Sequence, residues 1–81
     1  MILEISRGYL KIQVANKVAT IQGEMFFPGG DKLGFVLYRN SLKHWDSPHE
    51  NQVLTEEEVQ MVIDEIEAEF SRKGHMLDVE K

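Results

Sequence analysis

Cysteine is absent from this sequence. The chain therefore has no disulfide, no thiolate ligand for a metal and no cysteine nucleophile. Such a composition is typical of a reducing compartment, so we expect a cytoplasmic location. Long apolar runs are also missing, because none approaches the roughly 18 residues of a membrane-spanning helix. Glu4 interrupts the apolar N-terminus, which argues against a signal peptide.

The short length sets a further limit. With 81 residues, the sequence predicts a single domain over residues 1–81. A domain of this size buries only about 60% of the surface that its unfolded chain exposes. We therefore do not expect a deep pocket.

Basic residues are scarce in the second half of the chain. Residues 1–43 carry six basic and three acidic side chains, whereas residues 44–81 carry three basic and eleven acidic ones. Nucleic-acid binding requires a basic surface, so this distribution argues against it. An acidic surface attracts basic partners, although solubility is the commoner reason for a charged surface.

Alternating residues predict a β-hairpin near the N-terminus. In YLKIQV, residues 9–14, every second residue is apolar, as in a strand with one buried face. A two-residue turn at Ala15 and Asn16 can follow, with Asn16 supplying the positive φ that the turn requires. That turn pairs Ile12 with Ala19 and so decides which face of the next strand is buried.

One long helix, from about residue 56 to 73, is the clearest element. Thr55 is a good N-cap, Glu58 occupies the capping-box position, and Gly74 is placed to end the helix. A narrow apolar stripe at helical spacing predicts the buried face. It consists of Val59, Val62, Ile63, Ile66 and Phe70.

Taken together, these patterns predict an α+β fold with the order β-β-β-β-α-β. We expect a mainly antiparallel, four- to five-stranded sheet with the long C-terminal helix packed on one face. Residues 25–34 are predicted to be a long connection, because Pro28 lacks the N–H group that a central strand needs. After the fourth strand, we predict a short helical turn capped by Asn40 or Ser41.

The stretch LKHWDSPHENQ, residues 42–52, has two interpretations. Its possible metal ligands are His44, Asp46, His49 and Glu50. Zinc accepts imidazole and carboxylate ligands, but this spacing has an intervening proline and lacks the helix that aligns the ligands of known motifs. We favour a structural role, in which Trp45 closes the core while Asp46 and Ser47 hold turns around Pro48. No metal or cofactor is predicted.

Other catalytic arrangements are also missing. No serine lies in a nucleophile elbow, and Gly29–Gly30 lacks the spacing of a phosphate-binding loop. A charged, exposed helix face accounts for the remaining carboxylates without catalysis. These are Asp64, Glu65, Glu67 and Glu69. We therefore do not predict an enzyme.

Two groups of residues indicate a surface for a partner. Phe26 and Phe27 are adjacent, so they cannot both point inward from an extended chain, and the exposed ring either closes its loop or contacts a partner. Met61 lies opposite the apolar stripe among acidic residues, as in a small interface. The predicted partner-binding residues are Phe26, Phe27, Trp45, Asp46, Glu57, Met61, Asp64 and Glu65.

Two long segments and the closing helix resemble a known family. ISRGYLKIQVANKVATIQGE, residues 5–24, and NSLKHWDSPHENQVLTEEE, residues 40–58, are similar to the immunity protein 74 family, which contains predicted antidotes of bacterial polymorphic toxins. The most specific parts are Arg7-Gly8, Ile21 to Glu24 and Trp45-Asp46-x-Pro48. The resemblance implies a cytoplasmic, non-enzymatic protein that binds and neutralises a toxin domain. His44 and His49 are not part of the family pattern, which weakens the metal interpretation.

Three hypotheses remain at this point. In the first, the chain neutralises a cognate toxin domain, such as a basic nuclease-type domain, through an acidic helix face and neighbouring loops, without contacting nucleic acid or a membrane. In the second, the loop from His44 to Glu50 makes it a metal-binding regulator or a small metal-dependent hydrolase. In the third, it is a homodimeric scaffold joined through a sheet edge or the outer sheet face.

Overall fold

Five strands form one sheet, and a single long helix covers one of its faces. A computed structural model describes residues 1–80, so Lys81 of the predicted domain lies outside the described residues. The elements are β1 (Ile2–Ile5), β2 (Tyr9–Val14), β3 (Lys17–Gly29), β4 (Lys32–Tyr38), α1 (Glu56–Lys73) and β5 (Met76–Glu80). The strands lie in the order β1-β2-β3-β4-β5.

The sheet is mixed but mostly antiparallel. β4 and β5 pair in parallel, whereas the three other neighbouring pairs are antiparallel. Parallel neighbours need a crossover connection, and α1 lies within the connection between them. The predicted α+β class and the element order β-β-β-β-α-β are thus confirmed.

The β2–β3 hairpin has the predicted register. Ile12 pairs with Ala19, and Val14 pairs with Lys17 across the turn. The prediction that Asn16 supplies the positive φ is wrong, because Ala15 adopts it instead, with a φ of 57°. A positive φ at the first turn position is the feature of a type II′ turn, which ordinarily has glycine there.

β3 is longer than the sequence predicted. Strand pairing resumes at Gly29, opposite Lys32, so most of the predicted connection over residues 25–34 belongs to β3 and β4. The register shifts between Phe26 and Gly29. Pro28 lies within this irregularity, where the regular ladder does not need its missing N–H group.

A short 3-10 helix, Arg39–Ser41, follows β4. The predicted helical turn is therefore present, but its N-cap is Tyr38 rather than Asn40 or Ser41, and no side chain caps it. The Ser41 hydroxyl instead donates to the Tyr38 carbonyl at 2.7 Å and accepts from the Gln22 N–H group at 2.9 Å. This hydroxyl links the end of β4 to the middle of β3.

Both ends of α1 follow their sequence signals. The Thr55 hydroxyl accepts from the Glu58 N–H group at 3.1 Å, and the Glu58 carboxylate accepts from the Thr55 N–H group at 3.0 Å. Gly74 ends the helix with a φ of 72°. Within residues 1–80, no helix is both long and apolar enough to span a bilayer.

The core lies between α1 and the sheet. The predicted stripe of α1 is buried, and Phe70 is only 1% exposed. Buried residues of the sheet and of the segment before α1 complete the cluster. They are Leu10, Ile12, Ala19, Ile21, Phe35, Leu37, Leu42, Trp45 and Leu54.

Candidate partner-binding surface

Residues 42–54, which we call the Trp45 loop, belong to the core as well as to the surface. Trp45 is 3% exposed and packs in the main cluster with Leu42 and Leu54. The predicted structural role of Trp45 is therefore confirmed. Its indole offers almost no area to a partner, although it stood among the predicted partner-binding residues.

Asp46 fastens the Trp45 loop to the sheet. Its carboxylate accepts a hydrogen bond from the Thr20 hydroxyl at 2.6 Å and lies 3.5 Å from the Lys11 ammonium. Its backbone N–H group donates to the Val18 carbonyl at 2.7 Å. These internal bonds position the Trp45 loop, and the side chain of Asp46 remains partly exposed.

Lys17 covers the rim of the buried indole. Its ammonium lies 5.4 Å from the centroid of the Trp45 ring and donates a hydrogen bond to the Gln52 side chain. Within residues 1–80, the Trp45 Nε1 atom is buried without a hydrogen-bond acceptor. Apolar burial and the cation–π contact thus hold the ring in place.

The possible metal ligands of this loop do not form a site. In the part of the chain that the structure describes, no three His, Asp or Glu side chains lie together as a ligand set. His44 forms an isolated antiparallel bridge with Val53, and the His49 N–H group donates to the Asp46 carbonyl at 2.8 Å. The loop is organised by backbone hydrogen bonds and by the carboxylate of Asp46.

The exposed side of α1 carries an apolar centre with an acidic rim. Met61 is 47% exposed, and it lines a shallow depression with its helical neighbours. These residues, which we call the acidic helix face, are Glu57, Gln60, Met61, Asp64, Glu65 and Ala68. The Gln60 amide donates to the Asp64 carboxylate at 2.9 Å. An apolar centre ringed by polar groups has the layout of a protein interface.

The two adjacent phenylalanines differ in exposure, as predicted. Phe27 is 73% exposed, whereas Phe26 is half-buried. The Phe26 ring lies over Gly34, where any Cβ atom would collide with it. Because Met25 packs on the core, alternation directs Phe26 to the sheet face away from α1. The structure therefore does not bring Phe26 together with the acidic helix face.

The prediction that Glu69 lies on the exposed face of α1 is wrong. Its side chain is 10% exposed, and it accepts a hydrogen bond from the Ile2 N–H group at 2.7 Å. It also lies 3.5 Å from the Met1 ammonium and 3.8 Å from the Arg72 guanidinium. The spacing of Glu69 from Ile66, three residues earlier, is the signal that places it beside the buried stripe.

The sequence also did not predict the contact that Arg39 makes with α1. Its side chain is 19% exposed, and one of its nitrogens lies 3.0 Å from the Glu56 carboxylate in the first turn of α1. This contact joins the short helix after β4 to the start of α1. No sequence motif marked it, because the two residues meet only through the fold.

The comparisons with known proteins give one match. The family model described as immunity protein 74 matches residues 2–80. Among curated proteins and solved structures, no match is found. The matched range contains β1 to β5, α1 and the Trp45 loop, and the earlier resemblance is confirmed. The chain belongs to the immunity protein 74 family.

Proposed function

We propose that this immunity protein acts in the cytoplasm by binding a cognate toxin domain and has no catalytic activity of its own. The acidic helix face is the observation that carries this proposal. It presents the exposed Met61 within a rim of Glu57, Asp64 and Glu65. Membership of the family supports a role in immunity.

The charge of this surface indicates the kind of toxin. A domain that acts on nucleic acid carries a basic cleft, because it has to neutralise phosphates. The first turn of α1 adds Glu56 and Glu58 to the acids of the helix. Such a surface complements a basic cleft, which mainly speeds association and supplies specificity. We infer that the partner is a basic, nuclease-type domain.

Apolar anchors are needed to keep the complex together. A few buried contacts supply most of the binding free energy in protein interfaces. Met61 lies at the centre of the acidic helix face, and Phe27 is exposed on the β3–β4 hairpin. We propose Met61 as the principal anchor, with Phe27 as a second contact where the toxin reaches that hairpin.

Co-expression with the neighbouring toxin gene tests the function. The gene neighbourhood is determined first, and the probe is the C-terminal domain of a large secreted protein encoded next to this gene. We expect cells that express the domain to survive only with this protein, and the two purified proteins to form a complex. Cell death in its presence, together with no complex in vitro, contradicts the proposal.

Association kinetics test the surface. Reversing Asp64 and Glu65 to lysine should slow association and weaken its dependence on salt, because both effects come from long-range attraction. Glu4→Lys/Glu50→Lys is the matched control, since it changes the net charge equally at exposed positions outside both α1 and the β3–β4 hairpin. Met61→Ala should instead speed dissociation. Equal association rates for the two charge variants would exclude the acidic helix face as the contact.

A further inference from the structure

The outer edge of β5 is open. β5 is the last strand in the sheet order, so β4 is its only neighbour in the sheet among the described residues. Met76 is 50% and Val79 40% exposed. In a strand paired on one side, the N–H and C=O groups of alternate residues point away from the neighbour and can pair with another chain. Within residues 1–80, no backbone hydrogen bond from a turn or loop and no side-chain hydrogen bond involves a residue of β5.

The opposite edge of the sheet, formed by β1, is protected against pairing with another chain, whereas β5 is not. At β1, the Ile2 N–H group donates to Glu69, and the pairing with β2 shifts register between Ile2 and Glu4. Bulges and covering side chains are devices that prevent a sheet edge from recruiting other strands. β5 pairs with β4 in uninterrupted register over its whole length. Of the two edges, only β5 offers a regular template.

Acidic side chains lie on both sides of the β5 edge. Asp78 and Glu80 are exposed and project to the sheet face away from α1, as Val36 and Tyr38 beside them do. On the sheet face that α1 covers, Asp64 and Glu67 line a groove between α1 and β5. His75 and Leu77 line the same groove. Val79 lines its continuation with Glu67 and with Arg39, whose guanidinium is paired with the Glu56 carboxylate.

A strand placed beside β5 would therefore meet carboxylates with both of its faces. Its alternate side chains would point toward Asp64 and Glu67 on one side and lie beside Asp78 and Glu80 on the other, because side chains alternate along a strand. Opposite charges on neighbouring strands stabilise a sheet, whereas like charges destabilise it. This arrangement favours a strand that carries lysine or arginine.

We propose that β5 receives a basic β-strand of the toxin domain, which extends the sheet to six strands. This inference rests on the proposed function and identifies the backbone contact that the side-chain surface alone does not supply. Asp64 lines both the groove and the acidic helix face, so the added strand and the helix contact form one continuous interface. A second copy of this chain is a poorer occupant, because pairing β5 with itself would bring Asp78 and Glu80 close to their own copies.

Two measurements on the complex with the neighbouring toxin domain test this inference. The first is hydrogen exchange at each amide of β5. Alternate amides should exchange rapidly in the free protein and become protected in the complex, because main-chain pairing occupies them. The second is the affinity of Asp78→Lys, which should fall about tenfold, or about 1.4 kcal/mol. Glu50→Lys is the matched control, since it makes the same charge change on the Trp45 loop, and it should bind like the wild type.

The outcomes separate this inference from the proposed function. If the toxin domain binds but the β5 amides gain no protection and Asp78→Lys binds like Glu50→Lys, the strand contact is wrong and the proposed function stands. If the wild-type protein does not bind the toxin domain, the proposed function fails and the strand contact fails with it. A dimer of this chain that protects the same amides without toxin would also overturn the inference, in favour of self-association.

Discussion

Replacing Glu69 tests how the helix holds the first strand of the sheet. The carboxylate is nearly buried and accepts the Ile2 N–H group at 2.7 Å. Glu69→Ala removes this acceptor and leaves a half-buried amide without a partner. The spacing of Glu69 in the sequence places it beside the buried stripe of α1, but only the fold brings the Ile2 N–H group to its carboxylate.

The expected magnitude follows from two contributions. A hydrogen bond to a charged group is worth about 1.5–3 kcal/mol. The nearby Met1 ammonium is 72% exposed, and an ion pair at such a site adds only about 0–1 kcal/mol. We therefore expect Glu69→Ala to lower the free energy of unfolding by about 2–3 kcal/mol. Glu69→Gln should lower it by less, because the amide oxygen can still accept from Ile2.

Urea denaturation followed by tryptophan fluorescence is the assay, since Trp45 is the only tryptophan and is buried. The matched control is Glu67→Ala, which removes an exposed glutamate from the same helix and should stay within about 0.5 kcal/mol of the wild type. Faster amide exchange at Ile2 should accompany the loss in Glu69→Ala. The reasoning is refuted if Glu69→Ala and Glu67→Ala have the same stability.

Two further predictions concern the sheet. Ala15→Gly should stabilise the protein by about 0.5–1 kcal/mol, because glycine relieves the cost of a positive φ. Asn16→Gly is the control and should not raise the melting temperature, since the φ of Asn16 is not positive. The hydrogen bond from Tyr9 to Glu4, and then burial, raise the pKa of the Tyr9 hydroxyl. The protonated Tyr9 hydroxyl therefore stabilises the fold. This stabilisation is present below the ordinary tyrosine pKa of about 10 and is lost as the pH rises through the higher pKa of the folded state. An absorbance titration in which Glu4→Gln leaves the pKa of Tyr9 unchanged would contradict this assignment.

Local signals in the sequence were sufficient for α1 and for the first hairpin. Thr55 and Gly74 determine the ends of the helix through interactions with their own neighbours in the chain. The register that joins Ile12 to Ala19 follows from a short turn. The interpretation of Trp45 as a core residue succeeded because a large aromatic ring beside an irregular loop is best accommodated by burial.

Features that depend on distant residues could not be predicted in the same way. Pro28 indicated a loop, but a register shift in β3 accommodates it, and such irregularities have no clear sequence pattern. The burial of Glu69 requires the Ile2 N–H group, which lies at the far end of the chain. For the candidate site, the sequence indicated the acidic residues around Met61, whereas the contacts of Asp46 with Thr20 and Lys11 and the open edge of β5 depend on residues far apart in the chain.

The parallel pairing of β4 and β5 has a consequence for the order of folding. Strands β2, β3 and β4 each follow the preceding strand after a short turn. In contrast, Gly34 of β4 pairs with Met76 of β5, which lies far along the chain. Contacts between distant residues form late, because closing a long loop loses chain entropy before any contact compensates for it. We expect the four-stranded meander to form first, and β5 to join only after α1 has docked. A newly made chain therefore completes its sheet last at β5, and the protein gains that strand's outer edge only in the final step of folding.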